Sequence, residues 1–168
     1  MGTSQKITNC LWFDNQCEEA MNFYISVFAA SPGKHADSRI ISITRYEKGM
    51  NTPGMPGMEG KVLTGVFELY GQRFIALDGG PIFKFNESIS LEVVCEDQQE
   101  IDYFWEKLSA VPESEQCGWL KDKFGVSWQI VPKLMYELMT DPDRTKVIRG
   151  MNLLLPMKKI IIKEFENL

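Results

Sequence analysis

CGWLKDKFGVSWQIVP, residues Cys117 to Pro132, decides how this chain is read. Its aromatic and β-branched residues, the glycine at Phe124-Gly125 and the closing proline predict two short strands, Trp119–Lys123 and Val126–Val131, in a tight hairpin. An earlier stretch, VFELYGQRFIAL (Val66–Leu77), has nearly the same form. With Gly71 set on Gly125, Tyr70 falls on Phe124, Phe74 on Trp128 and Leu77 on Val131. The chain therefore carries an internal repeat, which constrains the fold before any single motif does.

Outward from the hairpins, each half repeats one order of elements. In the first, Ile7–Phe13 reads as a strand. Asn15 with Glu18 three residues on reads as a capping box for a helix over about Gln16–Phe28, whose stripe is Ala20, Phe23, Tyr24 and Val27. Strands follow at Arg39–Tyr46, Lys61–Tyr70 and Gln72–Leu77. Between them EKGMNTPGMPGMEG (Glu47–Gly60) fits neither period and reads as a disordered loop, with a Met-rich lid (Met50, Met55, Met58) as the alternative. DGGPIFKFNES (Asp78–Ser88) reads as the hinge, where Phe83 and Phe85 gate or seal a pocket. In the second half, Ile89–Cys95 is a strand, Asp97 and Glu100 form another capping box, and the helix runs to Leu108 with Ile101, Phe104, Trp105 and Leu108 on one stripe. A weak strand is expected near 109–116, before the closing hairpin. Each half is thus β-α-β-β-β. Beyond Pro132 the pattern turns helical: Lys133–Met139, then a helix capped by Asp141 with Pro142 at its first position, running to about Leu154, and an amphipathic segment over Lys158–Leu168. These helices are expected to cover a sheet face or edge, or to serve a subunit contact. The expected fold class is α+β, one domain over 1–168, with modules at 5–80 and 86–132 and a helical extension at 133–168.

Composition sets the bounds. At 168 residues and 44% hydrophobic content the chain can bury one sizeable core. A net charge of −5 with no basic run argues against nucleic-acid binding. No apolar run approaches the roughly 18 residues of a membrane span, and the short polar start does not read as a signal peptide. Cys10, Cys17, Cys95 and Cys117 are scattered, without CxxC spacing, which fits free thiols in a cytoplasmic protein. No histidine stands near Cys117, so an idle thiol is expected there.

Tandem β-α-β-β-β modules resemble the vicinal oxygen chelate superfamily, the glyoxalase/bleomycin resistance fold. ITNCLWFDNQCEEAMNFY, LDGGPIFKFNESISLEV, CGWLKDKFGVSWQIVP and DPDRTKVIRGMNLLLPMKKI, four motifs in order over about residues 5–162, are similar to its PhnB-like branch, often labelled 3-demethylubiquinone-9 3-methyltransferase. The resemblance implies that each module contributes half of a curled sheet, that the concave face forms a pocket, and that the protein is a homodimer. Metal-using members of the superfamily hold a divalent ion with His and Glu from four strands. Those positions fall here at about Asn9, Ile75, Ser90 and Gln129, a poor donor set for any hard or borderline ion. The chain's one histidine, His35, lies in a turn region. No metal and no other cofactor is therefore expected.

If Asn9, Ser90 and Gln129 face the cavity, strand alternation adds Leu11, Phe13, Glu92, Val94, Ser127 and Val131, with Ile75 as the repeat partner of Gln129 and Trp119 possible at a strand start. Such a pocket is mainly apolar and suits a small, partly apolar ligand. Glu92 is its candidate general base if burial raises its pKa; the alternative is an exposed Glu92, or one paired with Lys121 or Lys123. Trp12, Trp105 and Trp128 are expected in the core. Three functions stay open: a metal-free small-molecule-binding protein, a superfamily enzyme using Glu92 with a water or a metal, and the labelled methyltransferase. The last lacks a glycine-rich loop after the first strand, which ends FDNQCEEA.

Overall fold

The structure is a computed structural model that describes residues 5–33 and 37–168. His35 and the first four residues lie outside the described residues. The fold is α+β, with two mixed sheets and four α-helices. The chain divides between Lys84 and Phe85 into two compact units.

The first unit holds β1 (Asn9–Phe13), α1 (Cys17–Ala29), β2 (Arg39–Arg45), β3 (Val62–Leu69) and β4 (Gln72–Asp78). The sheet order is β1-β4-β3-β2, with β1 parallel to β4 and the other pairs antiparallel. Register decides its faces. Leu11 lies opposite Ala76, and Phe67 opposite Phe74, and all four side chains are buried. Tyr24 of α1 stacks on Phe67 at 6.4 Å between ring centroids, and Phe67 on Phe74 at 5.3 Å. Gly65 of β3 lets the helix come close: a Cβ there would stand 2.4 Å from the Met21 sulfur. The alternate residues, among them Cys10, Trp12, Ile75 and Leu77, take the other face. Trp12 is half-buried rather than core; its indole N–H donates to the Gly80 carbonyl at 2.8 Å, and its ring meets Phe83 edge-on.

The start of α1 corrects the expected capping box. Asn15 has φ 58, and Gln16, the N-cap, makes no side-chain cap bond. The helix amides are satisfied from 61–62 residues away: the Asp78 carboxylate accepts from Gln16 N at 3.0 Å and Cys17 N at 3.1 Å. A carboxylate at the positive end of the helix dipole also has the favourable sign. Tyr46 donates to the Asp78 carbonyl at 2.6 Å. Asp78 thus ends β4 instead of opening a hinge. The 47–60 loop, expected to be disordered, is a chain of turns closing at Glu47–Met50, Thr52–Met55 and Met58–Lys61, with Met58 buried. Met55 and Met58 line a cavity of about 240 Å³ beside Asp14 and Pro81.

The second unit holds β5 (Leu91–Cys95), α2 (Gln98–Leu108), β6 (Trp119–Lys121), β7 (Ser127–Pro132), α3 (Leu134–Met139) and α4 (Arg144–Leu154). Its sheet, β5-β7-β6, repeats the parallel pairing of first and last strands. Here the local cap forms: Asp97 accepts from Glu100 N at 3.0 Å, while Glu100 reaches back to accept from Glu96 N, one residue before the cap, at 2.7 Å. The strand expected near 109–116 is a 3-10 turn, Pro112–Ser114, with one isolated bridge between Gln116 and Trp119. Pro112 has no amide to give a ladder. The second hairpin also differs from the first. Tyr70 and Gly71 form a two-residue turn with φ 50 and 79, whereas residues 122–126 link Lys121 to its partner Ser127. Two late expectations shift as well. α4 is capped by Asp143, which accepts from Thr145 N at 2.9 Å, and the last segment is a 3-10 turn, Ile162–Phe165.

Burial raises the Asp78 carboxyl above its ordinary 3.8, against the hydrogen bonds from Cys17 and Gln16 that lower it. A raised folded-state value means that the group's contribution to stability is full on the acid side of the unfolded value and is lost as pH rises through the folded one. Asp78→Asn cannot titrate. Its stability deficit relative to the parent is therefore expected to be larger near pH 4 than near pH 7, measured as the difference in Tm between the two proteins. A deficit that grows with pH would refute this account.

Candidate functional site

The central strand of the second sheet, β7, is flanked by β5 and β6. Its register places Gln129 opposite Glu92 on one side and Trp119 on the other. One row of one face therefore reads Glu92, Gln129, Trp119. The next row on that face is Val94 and Val131, and the row before it is Lys121 and Ser127. The opposite face carries Val93, Leu120, Trp128 and Ile130, all buried, as are Ile101, Phe104 and Leu108 of α2. Period-two alternation thus separates a helix-packed core from a face left to other partners.

That face is roofed by the chain after Pro132. Met135 and Leu138 of α3 form a small core with Ile160 and Phe165, against which Val131 and Leu154 pack. Several polar ties hold the roof to the sheet. Cys117 N donates to the Met157 carbonyl and Gly118 N to the Lys158 carbonyl, both at 2.8 Å. Gly118 has φ +86, and a Cβ there would lie 2.9 Å from Ile160 Cδ1, so only glycine fits the turn and the contact together. Lys159 pairs with Asp102 at 2.6 Å, and its bond holds that carboxyl below the usual carboxylate range. Glu115 is likewise lowered by the Ser109 hydroxyl and then by Lys158.

Between face and roof lies a cavity of about 480 Å³. Glu92, Trp119, Gln129 and Val131 line it from the sheet, with Cys117 at the rim of the hairpin. Met135, Tyr136, Met139 and Thr140 close it from α3 and its end, Met151 and Leu154 from α4, and Ile160 from the tail. Tyr136 donates its hydroxyl to Glu92 Oε1. Gln129 donates to the Ser90 hydroxyl at 2.8 Å. Lys121 pairs with Glu87, and Lys123 sits over the Phe124 ring, so neither lysine answers Glu92.

The hairpin that presents Trp119 and Gln129 is locked by Asp122, which is 1% exposed. Its Oδ1 accepts from Phe124 N at 2.8 Å and Val126 N at 3.0 Å, and its Oδ2 accepts from the Trp128 indole at 2.8 Å. This buried carboxylate stands at a position that the sequence assigned to the strand Trp119–Lys123, two residues before the Phe124-Gly125 joint.

The sequence-predicted site residues divide by unit. Ser90, Glu92, Val94, Trp119, Ser127, Gln129 and Val131 share one face of the second sheet, and Glu92, Trp119, Gln129 and Val131 reach the cavity. Ser127 is buried, its hydroxyl without a hydrogen-bond partner, and Val94 is exposed. Glu92 is exposed, the alternative named for it, and so is not a buried base. In the first unit, Leu11 and Phe13 belong to the helix-packed core, not to a cavity, and Asn9 is exposed on the same side of β1. Ile75 takes the opposite face from all three, because β1 and β4 pair Asn9 with Phe74 and Cys10 with Ile75. A one-residue offset explains the error: Asn9 corresponds by pairing to Leu91, opposite Trp128, and not to Ser90. Asn9 and Ile75 therefore cannot point at one ion, and an amide, an alkyl group and a hydroxyl do not make a chelate for a hard cation. Among the described residues no three of His, Cys, Asp and Glu converge into a metal-sized group. Trp128 is core, while Trp105 is half-buried on α2. Burial pushes the Cys17 and Cys95 thiols up to about 12, far from thiolate chemistry.

The roof residues were missed. Their signal was the i, i+4 spacing of Met135 and Met139, which reads as an ordinary apolar stripe until the face it covers is known.

Two α+β units, each with a parallel first–last strand pair and a helix on one face, define a protein of the glyoxalase/bleomycin resistance fold in the PhnB-like branch of the vicinal oxygen chelate superfamily. More narrowly, the chain belongs to the family described as 3-demethylubiquinone-9 3-methyltransferase, whose profile matches residues 5–131. A PhnB protein of Bacillus cereus, described with the same methyltransferase name, is 40% identical over 76% of this chain and 99% of its own, with a TM-score of 0.60. A Staphylococcus aureus protein is 32% identical over 77% of this chain and 97% of its own, with a TM-score of 0.33. A Pseudomonas aeruginosa protein, at 15% identity, 77% and 98% coverage and a TM-score of 0.54, shares the fold. None of the curated proteins matches the chain. No helix among the described residues is long and apolar enough to cross a membrane.

Removing the Asp122 carboxylate strands buried donors, two amides and an indole, each worth on the order of 1 kcal/mol or more. Asp122→Ala is expected to cost about 2–4 kcal/mol in urea unfolding, and Asp122→Asn clearly less. Equal losses in the two variants would show that the hairpin does not depend on these acceptors.

Proposed function

We propose that this chain is a small-molecule-binding protein whose ligand site is the cavity on the open face of the second sheet. One observation carries the reading: a sheet face and a helical roof flank an open cleft of about 480 Å³ lined mostly by Met, Leu, Ile, Val and Trp side chains, with a few polar groups at fixed register. That volume lies within the usual range of ligand sites, about 300–1,000 Å³.

The family name is not adopted as an activity. The first strand runs into α1 through Asp14-Asn15-Gln16, with no glycine, and both sheets are small and mixed. A dinucleotide-type cofactor cradle uses a glycine-rich turn at the end of a strand in a parallel sheet. The chelate of metal-using superfamily members is not proposed, for the chemistry of the donors given above. What remains is a site that selects by shape and by its few polar groups.

N-phenyl-1-naphthylamine, a neutral apolar fluorophore, is expected to bind at one equivalent with micromolar affinity. Val131→Trp, which fills the floor of the cavity, is expected to weaken it at least tenfold while circular dichroism stays unchanged. S-adenosylmethionine is expected to give no binding heat in calorimetry. Failure of the fluorophore to bind would overturn the proposal, and micromolar binding of S-adenosylmethionine would replace it with the methyltransferase reading.

A further inference from the structure

Resting on the ligand-site reading above, we infer that the cavity selects organic cations: ligands that join an ammonium group to an apolar body. The lining carries one carboxylate, Glu92, and no lysine or arginine. Among the described residues no cation pairs with Glu92, whose recorded partner is the neutral Tyr136 hydroxyl. The lysine nearest in the ladder on this face, Lys121, is held by Glu87. Glu92 is thus a negative charge beside an apolar cavity with its counter-ion place open.

The row geometry adds the rest. Glu92 and Trp119 stand on either side of Gln129 in one cross-strand row. Adjacent strands lie about 4.8 Å apart, so a carboxylate and an indole one strand removed from each other flank a space of ammonium size above the middle residue. An ammonium there meets the carboxylate by Coulomb attraction and the indole face by its quadrupole, the best aromatic partner for a cation. With its amide N–H donated to Ser90, Gln129 has a carbonyl oxygen to offer, another acceptor. The methionine-rich roof, Met135, Met139 and Met151, supplies soft, adaptable contacts for an apolar body. An anion finds no positive group in this lining.

Three ligands of equal chain length separate charge from shape: octyltrimethylammonium, 1-octanol and octanoate, each displacing N-phenyl-1-naphthylamine from the full-length protein below its micelle concentration. The cation is expected to displace at a concentration at least tenfold lower than the alcohol, and octanoate to be weakest. Glu92→Gln is expected to collapse the ratio between cation and alcohol, while Glu92→Asp keeps most of it. Glu92 is exposed, so both variants should fold, with Tm as the check. Equal displacement by the cation and the alcohol, stronger displacement by octanoate, or a cation preference that survives Glu92→Gln would each overturn the inference and leave the site reading in place. Failure of the fluorophore itself to bind would overturn both.

Discussion

Which side of a strand a residue takes is the constraint on which this molecule rests. In β4 and β7, the strands that accept the parallel partners, alternate side chains are committed to a helix. Phe74 and Ala76 pack under α1, and Trp128 and Ile130 are buried on the face opposite Gln129. Once those are inside, Ile75 and Gln129 have no freedom; they must take the other face. The cost of violating this is large, since each aromatic left in water would forfeit about 1.5–3 kcal/mol of burial. The site is consequently a by-product of the core: its floor is whatever the core does not use.

The scaffold was legible for the same reason. The aligned glycines Gly71 and Gly125 both take positive φ, and the aligned Phe74 and Trp128 both go to the core. A pattern of period two with a turn residue at its centre can be read locally, and two copies of it confirm each other. The side-chain faces were legible in the second unit and lost in the first through a single register step. Setting Asn9 against Ser90 carried Leu11 and Phe13 to the wrong face, while of the residues counted from Gln129 only Glu92, Trp119 and Val131 line the second unit's cavity and Ser90, Val94 and Ser127 do not. Hydrophobicity could have warned against the first: Leu11 and Phe13 are large and apolar, and Cys10 and Trp12 between them are the more amphipathic pair.

Two buried carboxylates show what local reading cannot reach. Asp78 caps a helix some sixty residues before it, and Asp122 gathers two turn amides and an indole. In sequence Asp78 reads as the first residue of a hinge and Asp122 as a strand residue, and nothing local marks either as a buried acceptor. Only the fold brings the orphan donors to them. The helix whose cap is local, α2, was read correctly from Asp97 and Glu100; the helix whose cap is remote, α1, was not. The distinction is physical: a local cap closes within one turn of chain, whereas the Asp78 cap exists only after β4 has paired with β1.

The family description travels on residues 5–131, and the cavity does not. Its floor, from Glu92 to Val131, lies within the matched region, but its roof, from Met135 to Ile160, lies wholly beyond it. The roof supplies the three lining methionines and the tyrosine that meets Glu92. Chemistry at such a site follows from the pairing of a shared floor with a particular roof. Two chains with the same floor and different residues after position 131 would present different pockets on one scaffold, since fold and function are specified by separate parts of the molecule. The apolar character of this roof and the single carboxylate of this floor are therefore better guides to the chemistry of the cavity than the name carried by its first three quarters.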